Sequence, residues 1–140
     1  MASHPRSGVR RICGARVLIV EDDADSAELF AKWLQDAGLR VSVVSDAELA
    51  LIFAPVLRPA VVVIDLGLPT IDGIALIGQL REIGNLSCQY VAVTAYGGVR
   101  LPVLCQAAGF SAFFQKPVHR EALVKSVFGM ASLEASARSH

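Results

Sequence analysis

No run of apolar residues in this 140-residue chain approaches the roughly 20 that a bilayer-spanning helix needs, so no membrane span is expected. An excess of one charge is also lacking. Lys and Arg number 13 against 13 Asp and Glu, giving a formal net charge of +0. A general nucleic-acid footprint would need a strong basic excess, and this balance excludes it. Cysteine is scarce. Cys13, Cys88 and Cys105 are odd in number and far apart, which supports neither a disulfide framework nor a zinc site. They read as reduced thiols of a cytoplasmic protein. Residues 1–15 carry Arg6, Arg10 and Arg11 with Pro5 and Gly8, and hold no apolar segment before Val17. A secretory signal is therefore not expected, and the segment reads as a polar, basic tail or linker. Internal repeats and low-complexity stretches are missing too.

What the chain has in quantity is apolar side chain: 54% of residues, with a mean hydropathy of +0.51. A single domain of this size can bury a sizeable core. Strands covered by helices on both faces account for such a composition. The clearest is Val61-Val62-Val63-Ile64-Asp65, four β-branched residues running into one carboxylate, with Gly67 and Pro69 turning the chain just beyond.

The same alternation recurs along the chain. Arg16–Val20 reads as a first strand ending in Glu21, Asp22 and Asp23. Asp23 and Asp25 open a helix with Leu29, Trp33, Leu34 and Ala37 at helical spacing, and Gly38 closes it. Val41–Val44 is a second strand. Ser45 or Asp46 caps a helix presenting Leu49, Ile52 and Phe53, with Pro55 at or just past its end. After the third strand, Asp72 caps a helix with Leu76, Ile77 and Leu80 that ends at Gly84 and Asn85. Tyr90–Thr94 is a fourth strand, followed by the loop Tyr96-Gly97-Gly98. A helix follows with Pro102 in its first turn and its end near Gly109. Ser111–Gln115 is a fifth strand, Lys116-Pro117 leaves it, and a last helix spans about Arg120 to Met130, with a small polar tail after it. Five strand–helix alternations with short links predict an α/β fold. Specifically, they predict a doubly wound five-stranded parallel sheet in a flavodoxin-like (βα)5 three-layer sandwich.

In such a sheet the C-terminal strand ends share one edge, where open α/β folds place their ligands. The polar residues delivered there are Glu21, Asp22, Asp65, Thr94 and Lys116. Each type has a job in phosphoryl transfer. Clustered carboxylates repel one another and favour a divalent cation, and oxygen ligands suit Mg2+. A carboxylate can be the nucleophile and form an aspartyl phosphate. A lysine neutralises phosphoryl oxygens and a threonine hydroxyl donates to one of them. Gly67 would let the backbone turn so that its carbonyl faces the metal.

These residues carry a family resemblance. Val20-Glu21-Asp22-Asp23, Ile64-Asp65-Leu66-Gly67-Leu68-Pro69 with Asp72-Gly73, Val93-Thr94-Ala95 and Lys116-Pro117 resemble the receiver domain of two-component response regulators, over roughly residues 15 to 131. The implied division is a tail at 1–15, a receiver domain at 16–131 and a polar tail at 132–140. The resemblance implies that Asp65 is the phosphoacceptor, charged by a histidine kinase or a histidine phosphotransfer protein. It makes Asp22, Asp65 and the Gly67 carbonyl direct Mg2+ ligands, with Glu21 acting mainly through water. Thr94 and Lys116 would sense the phosphate, Phe113 would be the aromatic that swings behind Thr94, and the Lys116-Pro117 bond would be cis. Leu68 stands where the family often has methionine, and Phe113 lacks the hydroxyl of a tyrosine. Tyr96, bulky and close to the site, is expected to shield the phosphate from water.

Only ten residues follow Met130, so no DNA-binding output is expected from this chain. Action on a downstream protein through helix four, strand five and helix five is expected instead. Thr94-Ala95-Tyr96-Gly97 and Ala108-Gly109-Phe110 also resemble the receivers of hybrid sensor kinases. A Mg2+-dependent phosphatase would need a second aspartate where Gly67 stands, so no enzyme is expected beyond self-directed phosphorylation and dephosphorylation. A flavin carrier is disfavoured because Glu21, Asp22 and Asp23 would repel its phosphate. A scaffold without phosphorylation is the remaining alternative.

Overall fold

The computed structural model describes residues 14–68, 71–83 and 86–138. The cysteine and arginines of the N-terminal tail, Pro69 in the turn after the third strand, and Gly84 and Asn85 at the expected end of the third helix lie outside the described residues. The elements are β1 (Arg16–Val20), α1 (Ala24–Asp36), β2 (Arg40–Val44), α2 (Ala47–Leu57) and β3 (Val61–Asp65), followed by α3 (Gly73–Glu82), β4 (Gln89–Thr94), α4 (Leu101–Ala108), β5 (Ala112–Gln115) and α5 (Arg120–Arg138). All pairings are parallel, in the order β2-β1-β3-β4-β5. The chain is therefore the α/β, doubly wound, flavodoxin-like sandwich that its alternation predicts. The order reverses between β1 and β3, and that switch point is where such sheets open a crevice.

The two-residue pleat splits each strand between two cores. Val17, Ile19, Val61, Val63, Val91 and Val93 face Phe30 and Leu34 of α1 and Leu123 and Val127 of α5. Leu18, Val20, Val62, Ile64 and Ala92 face the other layer, with Ala50, Leu76, Ile77 and Cys105 from α2, α3 and α4. β3 is buried at every residue, which is why it is apolar on both faces until Asp65.

The caps follow from short acidic side chains. Asp23 accepts from the Ser26 N–H at 3.0 Å, Asp46 from Leu49 at 2.8 Å and Asp72 from Ala75 at 2.8 Å. Of Ser45 and Asp46, the cap of α2 is thus Asp46. Gly73 sits where α3 meets β3 most closely: a Cβ there would lie 2.9 Å from the Leu66 Cα and 2.9 Å from Ile64 Cγ2.

Four expectations are corrected. The inner face of α1 is Ala27, Phe30 and Leu34 while Leu29 is exposed, and that of α2 is Ala47, Ala50 and Ala54 while Ile52 and Phe53 point outward. Pro55 lies inside α2, where it forfeits a single bond close to the helix end. The last helix does not stop near Met130 but runs to Arg138. Its buried stripe continues through Ala131 to Glu134, which accepts from Ser87 Oγ at 2.8 Å and Gln89 Nε2 at 2.9 Å.

Candidate phosphoryl-transfer site at the strand ends

β1 and β3 bring Glu21 and Asp65 to the same edge of the switch point, with Asp22 beside them. One carboxylate oxygen from each of the three falls within 4.8 Å of the others. Glu21 and Asp65 are buried, while Asp22 is exposed. An all-carboxylate set open to solvent on one side fits a hard divalent cation that keeps several waters. The cluster could hold such an ion.

Lys116, just past β5, reaches across the edge. Its Nζ lies 2.8 Å from Glu21 Oε1 and 3.6 Å from Asp65 Oδ2. The other Asp65 oxygen, Oδ1, accepts from the Gly67 N–H at 2.9 Å, and Glu21 Oε2 accepts from the Asp23 N–H at 3.2 Å. Burial, reinforced by the adjacent Asp65 carboxyl, pushes Glu21 up to about 7 against the opposing pull of Lys116. Burial works to lower the Lys116 pKa, but the hydrogen bond to Glu21 and the charges of Asp65 and Glu21 outweigh it and hold the ammonium above its ordinary value.

Thr94 is fully buried at the end of β4. Its Oγ1 accepts from the Tyr96 N–H at 3.1 Å, so the hydroxyl hydrogen remains for donation. Its carbonyl accepts from the Lys116 N–H at 2.7 Å, tying the two strand ends together. Phe113 pairs in register with Ala92 and lies on the same face of the sheet as Thr94. It lines a cleft of about 310 Å3 between α4 and β5 with Pro102, Cys105, Gln106 and Phe110. The Lys116-Pro117 bond is cis.

Gly67 sits in the turn after β3, and its φ is not in the left-handed region. The turn therefore does not demand glycine by a positive φ. A Cβ there would instead lie 3.4 Å from Tyr96 Cε2 and 3.6 Å from Asp65 Oδ1. The Tyr96 ring thus packs against the Gly67 turn, on which Asp65 Oδ1 also lies, while remaining largely exposed. Of the Gly97-Gly98 pair, only Gly98 has a positive φ, at 134°.

Two contacts of this edge go beyond what the sequence pattern indicates. Gln115 packs over the β4–α4 loop, and its Nε2 would lie 2.8 Å from a Cβ at Gly97. Asp23 serves both as the α1 cap and, through its N–H, as a brace for Glu21. The first has no local signal, because it joins residues from different strands. The second follows from the acidic run after β1.

With this geometry established, the comparisons with known proteins agree on one family. The family model for the response regulator receiver domain matches residues 17–128. The chain belongs to that family. It is thus a receiver domain of the two-component response regulator type. It is 32% identical over 112 residues to an uncharacterized 14.6 kDa protein of Leptolyngbya boryana, covering 79% of this chain and 86% of that one. It is 33% identical over 124 residues to the virulence transcriptional regulatory protein PhoP of Salmonella choleraesuis, covering 84% of this chain but only 55% of PhoP. Among solved structures, it matches a CheY-like receiver domain from Methanospirillum hungatei with a TM-score of 0.80 at 22% identity, covering 89% and 98% of the two chains. It also matches the receiver domain of a signal transduction histidine kinase from Syntrophus aciditrophicus, with a TM-score of 0.76 at 27% identity and 85% and 91% coverage. Among the described residues no helix is long and apolar enough to cross a membrane.

Proposed function

We propose that this receiver is a phosphorylation-driven switch of the cytoplasm. Asp65 accepts a phosphoryl group from a phosphohistidine of a histidine kinase or a histidine phosphotransfer protein. The histidine N–P bond breaks as the Asp65 O–P bond forms, and the imidazole nitrogen keeps the bonding pair. Asp22, Asp65 and the Gly67 carbonyl, with Glu21 acting through water, would hold Mg2+, which would supply charge compensation for the phosphoryl oxygens.

The chain's own residues do the rest. Gly67 fixes one Asp65 oxygen through its N–H, which leaves the other facing Lys116. Lys116 then balances charge on the transferred group. Thr94 donates its hydroxyl to a phosphoryl oxygen. Phe113 moves within the α4–β5 cleft as Thr94 is drawn away, and the α4–β5–α5 face changes its affinity for a partner protein. No direct contact with nucleic acid belongs to this role.

The observation that carries the reading is the convergence of Glu21, Asp65 and Lys116 within ion-pair distance beside a buried Thr94. Similarity to the receiver of a histidine kinase supports, as a second reading, the same chemistry within a hybrid kinase.

The test is labelling by acetyl phosphate, or binding of beryllofluoride, with and without Mg2+, in wild type and Asp65→Asn. Mg2+-dependent labelling that disappears in the variant is expected. A wild type that neither takes up phosphate nor binds Mg2+ would leave a phosphorylation-independent scaffold in its place.

A further inference from the structure

Helix α4 is held more firmly at one end than at the other. In its N-terminal half Leu101 is partly buried against the core, while the next three residues are exposed. The N-cap position Arg100 makes no side-chain cap hydrogen bond, and Cys105 is the one buried residue of the helix. Val99, Val103 and Leu104 stand exposed. Gly98, just before it, has a φ of 134° and nothing within 4 Å of its Cβ position.

The C-terminal end is held several times over. The Gly109 N–H donates to the carbonyls of Cys105 and Gln106, both at 3.1 Å, and the Phe110 N–H donates to Cys105 at 3.0 Å. Arg81, from the last turn of α3, then donates Nη1 to the Ala108 carbonyl at 3.0 Å. That carbonyl belongs to the final turn, whose oxygens lack partners within the helix and carry the negative end of its dipole. The guanidinium lies across Gly109 so closely that a Cβ there would clash with Nη1 and stand 3.1 Å from Cζ. Gly109 is required by its φ of 115°, and a Cβ there would also have to displace the guanidinium from its place.

We propose that Arg81 is a positioning residue for the switch: it pins the C-terminal end of α4 to α3, so that switching moves the β4–α4 loop and the first turn of α4 about a fixed pivot at Ala108 and Gly109. The inference rests on the phosphorylation-switch reading for its motion, though not for the anchor itself. An anchored end confines a local rearrangement to the half of α4 that carries the exposed apolar side chains. Arg81 acts through the helix and touches no reacting atom.

Hydrogen exchange of the full chain tests this, with and without Mg2+ and beryllofluoride, in wild type and Arg81→Met. Methionine keeps the apolar stem and loses the donor, and position 81 is exposed, so the fold tolerates the change. Without ligand, amides 107–110 of the variant should exchange about fivefold faster than in wild type, the effect of losing one charge-assisted hydrogen bond on local opening. In wild type the beryllofluoride-induced change should stop at residue 104, and in Arg81→Met it should spread through 110. Variant rates at 107–110 equal to wild type would overturn the anchor. A wild-type response as large at 107–110 as at 96–104 would overturn the pivot. Failure of the wild type to bind beryllofluoride would instead remove the switch reading, and the ligand-free comparison would still decide the anchor.

Discussion

The Lys116 ammonium sits 2.8 Å from Glu21 Oε1, closer than its 3.6 Å approach to Asp65 Oδ2. Before any phosphate arrives, the cation of this site therefore belongs first to Glu21. Removing it leaves a fully buried carboxylate beside Asp65 with only one backbone N–H for company. Lys116→Ala should cost about 3 kcal/mol of folding stability at pH 8 by urea denaturation, in the range for breaking a buried pair from one side. The loss should shrink at pH 6, where Glu21 can take a proton. An equal loss at both pH values would show that the cost is packing rather than charge.

Glu21 binds a proton more tightly in the folded chain than in the unfolded one, with a pKa raised from 4.5 to about 7. Between those values the folded state holds the extra proton, so metal-free stability should fall as pH rises across that window. Mg2+ binding has the opposite sign, because the ion favours the carboxylate. Its affinity should be about tenfold weaker at pH 6 than at pH 8, as expected for one group of pKa 7 that must ionise. Titration calorimetry at the two pH values, repeated in Glu21→Gln, checks this; the variant should lose most of the pH dependence.

Tyr96 places its exposed ring next to Gly67, two residues beyond Asp65. If that ring keeps water from the aspartyl phosphate, Tyr96→Ala should shorten the phosphate lifetime by about threefold, a modest effect of water exclusion by one exposed side chain. Decay of the labelled chain after removal of donor gives the number directly. An unchanged lifetime would assign Tyr96 to the surface facing partners instead.

The site was legible because strand ends are the one place where an apolar run must stop, and the residue that stops it stands out. Glu21, Asp65 and Thr94 all have this signature, and Lys116 follows one residue after the Gln115 that ends the fifth strand. The helices were less legible where apolar residues surround the axis. In α2, Leu49, Leu51, Ile52 and Phe53 offer no single stripe, and the sheet accepts the alanines because it packs them close. In α1 Leu34 and Trp33 meet the core as expected, but Phe30 rather than Leu29 fills the turn before them. Pairs such as Arg81 with Ala108 join separate elements and leave no periodic trace.

The last turns of α5 were missed for a related reason: a carboxylate occupies a core-facing position. Leu123, Val127 and Ala131 are buried in helical register, and Glu134 continues them. Glu134 is satisfied by Ser87 and Gln89, and Gln89 Oε1 in turn accepts from Ser111 Oγ at 2.6 Å. A patterned reading takes a glutamate there as the end of the helix, whereas this chain supplies it with two donors. If that network holds the end of α5 against β4, Glu134→Ala should take the shared acceptor from Ser87 and Gln89 and cost about 1 kcal/mol, since the exposed Ser87 can turn to water. Exchange should then quicken in residues 131–138, while Mg2+ affinity at the opposite edge stays the same. Loss of stability with unchanged exchange in this segment would place the effect in β4 alone.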